Sequence, residues 1–422
     1  MKKWIAMMLV MALCLSMLAC AADRQEPEPS EAVAATDPTI QEPEVEVEVD
    51  TPEEAAMQSY MAQLSAFMHG HVTEEVDEDG YHFFYRFSPK QREVYLLNGM
   101  YQVMSYAPVG LNLRFVTTGN RLTLDIKRGP FESLLADLAN QPLTFYQQYG
   151  AAAVRDAWTP APETNELGDV HLFDSVQLQV DGEPVSLTPV ADGVLEFQFD
   201  HPEKETVEVS VYFPVIINMG IKDMQVNGTV EPVANKEKRV LCLGDSITGG
   251  GNVHWPSNNY TVLFAEAMDM ELWNQGISGA TFYADTLDGL KDIDVTPDLI
   301  TVAFGTNDWA NASSREQVLT EIDNYFTRLR DIYPDIPMVV LTPLWRADWE
   351  IEGNFGSFED LRKAIADRAS EEERVLVVDG STLLPQDVRY LNDGFLHPND
   401  AGHQLVAENL ASAVTTWMDQ NG

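Results

Sequence analysis

The hydrophobic pattern of the chain changes from a period of two to a helical period near its middle. Between residues 76 and 233, short runs alternate apolar with polar side chains, as at 111–116, 122–126 and 207–213. This alternation predicts β-strands with one buried face. Asp-Gly and Asn-Gly pairs between several runs predict tight turns. The region is therefore predicted to be an antiparallel β-sandwich.

From about residue 236 onward, strand-like and helical segments alternate. Near-continuous apolar runs predict buried strands at 239–243, 299–304, 338–342 and 375–378. Apolar residues recurring at helical spacing predict helices near 262–268, 315–332, 358–369 and 399–418. This order predicts a three-layer α/β/α domain with a mainly parallel sheet. In such sheets, functional residues gather at the C-terminal ends of the strands.

The N-terminal part carries the pattern of an exported protein. Lys2 and Lys3 precede an apolar run that ends just before Cys20, which is typical of a bacterial lipoprotein signal peptide with Cys20 as the lipid attachment site. Ordinary cleavage, or no processing at all, is the open alternative. Residues 21–54 are acidic and proline-rich, which predicts a disordered tether.

Residues 55–69 repeat Met and Leu every three or four positions, which predicts a short helix packed on the sandwich. The chain is therefore predicted to divide into four segments. They are a signal peptide at 1–20, a tether at 21–54, a helix with the β-sandwich at 55–235, and a catalytic domain at 236–422.

Composition limits the function. A formal net charge of -41 argues against nucleic-acid binding, which needs clustered Lys and Arg. The three cysteines leave only Cys242 after the signal region, so no internal disulfide is expected, and Cys242 is predicted to be a core residue. The sequence offers no metal-binding or phosphate-binding motif, and no cofactor is predicted.

The candidate chemistry begins where the first predicted strand of the second domain runs into Gly244, Asp245 and Ser246. A serine at a strand end faces the cleft, and its hydroxyl becomes a nucleophile when a neighbouring base takes its proton. The tripeptide alone is a weak signal, because Gly-Asp-Ser also forms ordinary turns.

Three further blocks follow in order. Gly279 lies in a small-residue loop, Asn307 follows a strand within Gly-Thr-Asn-Asp, and Asp393 and His397 share a loop before the last helix. Each has a structural alternative: Gly279 as a simple turn residue, Asn307 as a loop cap, and its neighbour Asp308 as a helix N-cap.

Together, over residues 238–422, the four blocks resemble the SGNH (GDSL-type) hydrolases. The resemblance implies Ser246 as nucleophile and His397 as general base. It implies an oxyanion hole formed by the amides of Ser246 and Gly279 and the side chain of Asn307. It also implies an acyl-enzyme mechanism.

The position of the acid departs from the family pattern. The family usually places the acid three residues before the histidine, whereas Asp393 lies four before His397. We favour a bulge that leaves Asp393 in place. The alternative is a Ser246–His397 dyad assisted by a backbone carbonyl. We expect Asp393→Asn to lower activity much less than His397→Ala.

The sandwich followed by an SGNH domain is also similar to exported bacterial esterases, including carbohydrate esterases. The resemblance implies an extracytoplasmic esterase, secreted or lipid-anchored, that acts on short acyl groups, by preference acetyl, of a carbohydrate or cell-wall polymer. A lipase or thioesterase of the same mechanism and an inactive surface carbohydrate-binding lipoprotein are the alternatives. The other histidines of this domain, His254 and His403, are expected at the surface. Its tryptophans are expected in packing roles, with stacking on a sugar ring in the cleft as the alternative: Trp255, Trp309, Trp345 and Trp349.

Overall fold

The computed structural model describes residues 56–95, 99–129, 175–200, 204–251, 253–293 and 295–421. The signal peptide, Cys20 and the tether lie outside these residues and stay predictions. No helix in the described residues has the length and apolar character needed to cross a membrane.

Alternating strands between residues 58 and 232 form two antiparallel sheets. Among the described residues of this region, the strands are β1 Gln58–Ser59, β2 Met68–His69, β3 Thr73–Val76, β4 His82–Tyr85, β5 Asn112–Thr117, β6 Arg121–Arg128, β7 Ser175–Val180, β8 Glu183–Pro189, β9 Gly193–Gln198, β10 Val207–Tyr212, β11 Met219–Val226 and β12 Val230–Pro232. One sheet has the order β3-β4-β11-β6-β9, with β1 paired to β11, and the other β12-β5-β10-β7-β8, with β2 paired to β5.

The sandwich core is formed by the inward side chains of both sheets. Ile221 pairs with Ile126 in the first sheet, and Val209 pairs with Phe115 in the second. All four side chains are fully buried. The period-two pattern therefore produces the predicted antiparallel sandwich, because each strand turns its apolar positions towards the facing sheet.

The segment 55–69 differs from the predicted helix. Only α1 Leu64–Phe67 is α-helical, and the strands β1 and β2 lie on either side of it. The apolar spacing still buries Leu64, Phe67 and Met68. A 3-10 turn, Met61–Gln63, leads into α1, so the predicted helix is present over 61–67 only. On either side of it, pairing of β1 with β11 and of β2 with β5 overrides the local helical periodicity, and the prediction was wrong there.

Two short helices, α2 Pro89–Tyr95 and α3 Gly99–Ser105, lie between β4 and β5 and were not predicted. Phe87, Tyr95 and Val103 of this insert are buried in one hydrophobic core with Ile277 and Phe282 of the C-terminal region. The insert, residues 86–109, therefore packs against the catalytic part of the chain rather than into the sandwich.

The C-terminal region is a five-stranded parallel sheet with helices. Its elements are β13 Lys238–Gly244, α4 Tyr260–Ala267, β14 Met270–Gly276, β15 Leu299–Ala303, α5 Thr306–Ala310, α6 Arg315–Ile332, β16 Met338–Leu341, α7 Phe358–Ala369, β17 Val375–Val378 and α8 Asp400–Asn421. The strand order is β14-β13-β15-β16-β17, with every neighbouring pair parallel. The predicted α/β fold class is confirmed.

Local signals explain where these helices begin. The side chain of Ser314 accepts the amide of Gln317 at the start of α6, and Ser357 and Asp360 form a capping box at the start of α7. Such caps satisfy amide groups that would otherwise lack a partner. Both helices span the residues that the sequence predicted.

Candidate active site

The central strand β13 positions Ser246. The strand ends at Gly244 between β14 and β15, so Asp245 and Ser246 follow at the C-terminal edge of the sheet. The neighbouring strands end at Gly276 and Ala303, which brings the loops that carry Gly279 and Asn307 to the same edge. Parallel register thus gathers sequence-distant blocks into one site.

A continuous hydrogen-bonded chain links the predicted nucleophile, base and acid. The Oγ atom of Ser246 lies 2.8 Å from Nε2 of His397. Nδ1 of His397 lies 2.7 Å from Oδ2 of Asp393. In this arrangement, Nδ1–H donates to the carboxylate and leaves the Nε2 lone pair directed at the serine hydroxyl. His397 can therefore accept the serine proton, and Asp393 can stabilise the imidazolium that results.

The loop of Asp393 accommodates the extra residue as an outward bulge. Gly394 has a φ of 64°, in the left-handed region, and a Cβ there would meet no atom within 4 Å. The Oδ1 atom of Asp393 accepts the amide N–H groups of Phe395, Leu396 and His397 at 2.9, 2.8 and 3.1 Å. The structure thus has the bulged arrangement and not the displaced acid.

The hydrogen bonds to Asp393 favour its charged form. Burial alone would raise the pKa of Asp393, but the hydrogen bond with His397, the charge of that ring and the backbone donors outweigh burial and lower this pKa below its usual value. The acid therefore stays ionised across the neutral range.

The candidate oxyanion donors lie in the turn and loops that follow β13, β14 and β15 at the same edge of the sheet. Gly279 has a φ of 80°, which favours glycine and turns its peptide plane within the loop. Within the described part of the chain, the amide N–H groups of Ser246 and Gly279 have no hydrogen-bond partner. One N–H of the Asn307 side chain donates to the carbonyl of Ala280 at 3.0 Å, which orients the amide and leaves its second N–H for a ligand.

Asp308 binds the backbone of the loop that carries Gly279. Its Oδ1 accepts the amide of Phe282 at 3.0 Å, and it lies inside α5 rather than at the expected N-cap position, which Gly305 occupies. Its Oδ2 is buried without a partner in the described residues. Burial raises the pKa of Asp308 to about 7 and that of Asp245 to about 6.

His403 is fully buried, so its predicted surface position was wrong. Its ring stacks on Tyr260 at 6.0 Å between centroids, and Nδ1 accepts the amide of Tyr260 at 3.1 Å. Burial lowers the pKa of His403 to about 4, so the ring is neutral and supports the core. An isolated polar residue on a helix gives no sequence signal of which face it takes. His254 is half-buried, and its Nδ1 atom lies 3.7 Å from Oδ1 of Asp400.

The tryptophans and Cys242 take mainly structural positions. Trp309 is buried and packs under the guanidinium of Arg346, 4.9 Å from the ring centroid to Cζ. Trp255 and Trp345 are half-buried, whereas Trp349 is exposed. Cys242 is fully buried in β13.

The parallel sheet with its helices and the hydrogen-bonded chain of Ser246, His397 and Asp393 together define a serine hydrolase with an α/β fold. Residues 242–405 match the GDSL-like Lipase/Acylhydrolase family. This match supports an ester-hydrolysing domain in the C-terminal part of the chain, and the resemblance inferred from the four sequence blocks is confirmed. No curated protein sequence matches the chain.

Solved structures share the fold over most of the chain. A salicylyl-acyltransferase, SsfX3, from a tetracycline biosynthetic pathway matches with a TM-score of 0.64 and 17% identity, over 87% of this chain and 98% of that one. A family two carbohydrate esterase from Cellvibrio japonicus matches with a TM-score of 0.56 and 14% identity, over 87% and 99%. The acetyl xylan esterase Est2A from Butyrivibrio proteoclasticus matches with a TM-score of 0.52 and 14% identity, over 87% and 99%.

Proposed function

We propose that this protein is an extracytoplasmic serine esterase that removes short acyl groups, by preference acetyl, from a carbohydrate or cell-wall polymer. The hydrogen-bonded chain Ser246–His397–Asp393 carries the proposal, together with the amides of Ser246 and Gly279, which have no hydrogen-bond partner among the residues that the structure describes. A nucleophile, a base held by an acid, and donors without partners are the groups that acyl transfer requires.

The mechanism follows from these atoms. Oγ of Ser246 attacks the ester carbonyl carbon while Nε2 of His397 takes the hydroxyl proton. The amides of Ser246 and Gly279 and the free N–H of Asn307 stabilise the oxyanion of the tetrahedral intermediate. Collapse of this intermediate expels the alcohol, which takes the proton from His397. Water then attacks the acyl-enzyme with His397 again as base, which releases the acid and restores Ser246.

The substrate class and the location are supported by the structural relatives and by the N-terminal sequence. Two structural relatives are a carbohydrate esterase and an acetyl xylan esterase by name, and the two-part architecture is shared along nearly their whole length. The location rests on the export pattern before Cys20. These features favour deacetylation of a glycan outside the cytoplasm.

Hydrolysis of p-nitrophenyl esters from acetyl to dodecanoyl tests the reaction. The full-length protein is compared with Ser246→Ala and with Ser412→Ala, a matched change at an exposed position on α8. We expect activity that falls steeply beyond butyryl, disappears in Ser246→Ala and persists in Ser412→Ala. Activity that rises with chain length would indicate a lipase instead.

Two further measurements separate the remaining alternatives. A fluorophosphonate probe labels only an activated serine, so absence of Ser246-dependent labelling and hydrolysis would indicate an inactive binding protein. Acetate release from acetylated xylan tests the glycan substrate, and active enzyme that releases none would contradict the proposed substrate class. Fractionation of expressing cells tests the location.

A further inference from the structure

The oxyanion loop, residues 277–283, is held from two sides. On the catalytic side, Asn307 binds the carbonyl of Ala280 and Asp308 binds the amide of Phe282. On the other side, the hydroxyl of Tyr101 donates to the carbonyl of Gly279 at 2.8 Å. Tyr101 lies on α3, in the insert of the sandwich, 178 positions away along the chain.

The insert that carries Tyr101 is itself fixed to β14. The fully buried guanidinium of Arg86 donates to the carbonyls of Asn274 and Gly276 at 3.1 and 2.8 Å, just before the loop begins. The same guanidinium donates to the carbonyls of Met104 and Ala107, at the end of α3 and beyond it, at 3.1 and 2.6 Å. One cation therefore joins the end of β14 to the end of the helix that presents Tyr101.

Side chains around Arg86 strengthen this connection. The Gln275 side chain donates to the carbonyl of Arg86 at 3.1 Å, and the Gln91 side chain bonds that of Gln275 at 2.8 Å. The indole of Trp273 also donates to the carbonyl of Arg86, at 3.2 Å. The insert and the end of β14 thus form one hydrogen-bonded unit, which leaves Tyr101 little freedom relative to Gly279.

The geometry points to Tyr101 as a positioning residue of the oxyanion hole, supplied by the N-terminal sandwich. The carbonyl that Tyr101 binds belongs to Gly279, and the amide N–H of Gly279 is one of the proposed oxyanion donors. The N–H of Gly279 belongs to the preceding peptide group, inside the turn that the amide of Ala280 closes by donating to the carbonyl of Ile277 at 3.0 Å. Holding the Gly279 carbonyl restrains the peptide group at the end of this turn, and thereby limits the directions that the N–H of Gly279 can take before substrate arrives. Preorganised donors of this kind act on the transition state more than on the bound substrate. This inference rests on the proposed function.

The test compares Tyr101→Phe with Tyr106→Phe in the full-length protein. Tyr106 lies in the same insert, where its ring packs edge-on against Tyr85, 5.5 Å between centroids. We expect Tyr101→Phe to lower kcat on p-nitrophenyl acetate about 10-fold or more, with KM changed less than about twofold. Tyr106→Phe should keep both constants, and the two variants should have similar Tm values.

A second readout does not depend on activity. Hydrogen exchange of peptides covering residues 277–283 should become about fivefold faster in Tyr101→Phe and stay unchanged in Tyr106→Phe. Unchanged kcat, or unchanged exchange, in Tyr101→Phe would overturn the positioning role. If the unmodified protein shows no Ser246-dependent hydrolysis, the proposed function fails, and the exchange experiment still decides whether Tyr101 holds the loop.

Discussion

Gly251 lies directly against the imidazole of His397. A Cβ atom at Gly251 would come within 3.1 Å of Cδ2 of His397 and 3.0 Å of the Ser246 carbonyl oxygen. The amide of Gly251 also donates to that carbonyl at 2.7 Å, which closes the turn behind the nucleophile. The turn therefore sets the position of the nucleophile and of the base together.

We predict that Gly251→Ala lowers kcat/KM about 10-fold, because the added methyl group pushes the imidazole away from Oγ of Ser246. Gly249→Ala is the matched control in the same turn, where a Cβ would meet its nearest neighbours at an ordinary 3.5 Å. Steady-state kinetics on p-nitrophenyl acetate measures both variants. Equal activity of the two would show that the site absorbs the methyl group.

The geometry of Asp393 keeps the order expected from the sequence, with a smaller loss for Asp393→Asn than for His397→Ala, and sets the size of each loss. In Asp393→Asn, Oδ1 can still accept the three backbone amides, but an amide donor now faces Nδ1 of His397 and favours the wrong tautomer. We predict a loss in kcat of roughly 10²- to 10⁴-fold, against roughly 10⁵-fold or more for His397→Ala.

Asp419→Asn, at an exposed position on α8, is the control for these kinetics. Activity of Asp393→Asn within about tenfold of the unmodified protein would favour the dyad with a backbone carbonyl.

Asp308 predicts a pH dependence of stability. Its folded pKa of about 7 lies above the ordinary value of 3.8, so the folded state binds the proton more tightly than the unfolded state. The resulting stabilisation is complete below about pH 4 and is lost as pH rises through about 7. We expect Asp308→Asn, which keeps the acceptor for Phe282 and has no charge, to remove this decline, on the order of a few kcal/mol.

Denaturant unfolding at several pH values between 4 and 8 measures the effect. Asp331→Asn, at an exposed position on α6, should leave the slope of the curve unchanged. If the free energy of unfolding changes with pH equally in Asp308→Asn and in the unmodified protein, the decline does not come from Asp308.

We predict that replacing Arg86 lowers the stability of the protein strongly. Arg86→Met removes the donors of the carbonyls of Asn274, Gly276, Met104 and Ala107 in a fully buried place. Buried carbonyl acceptors without a partner destabilise the folded state. We therefore expect the free energy of unfolding to decrease by roughly 3 kcal/mol. Arg389→Met, at a site where the side chain is 84% exposed, should change it by less than about 0.5 kcal/mol. Calorimetric or denaturant unfolding of both variants provides the comparison.

The sequence predicted those parts of the fold that have a local cause. Periodicity and caps were sufficient for α6 and α7, and alternating strands were sufficient for the sandwich. The helices of the insert, α2 and α3, were missed because each has only seven residues. Such short helices depend on burial against the rest of the protein, and a local sequence pattern does not reveal that burial. The strands at the two ends of 55–69 were missed because their pairing with β11 and β5 is also a contact between residues far apart in the sequence.

The same division applies to the site. Ser246, Gly279, Asn307 and His397 lie in short blocks at strand ends, so the sequence alone could single them out. Tyr101 lies in a segment with no resemblance to a catalytic motif, and its significance depends on a contact across 178 positions. The close approach of Gly251 to His397 likewise exists only in three dimensions.

The outward bulge at Gly394 shows what a signature spacing measures. Counting residues between acid and histidine measures contour length along the chain, whereas the orientation of the imidazole depends on one hydrogen bond from Nδ1 of His397 to Oδ2 of Asp393. A single residue that loops into solvent changes the first quantity and leaves the second intact. A sequence pattern for such sites should therefore allow one inserted residue between the acid and the histidine where that residue can bulge into solvent. It should require only the acid and the histidine themselves.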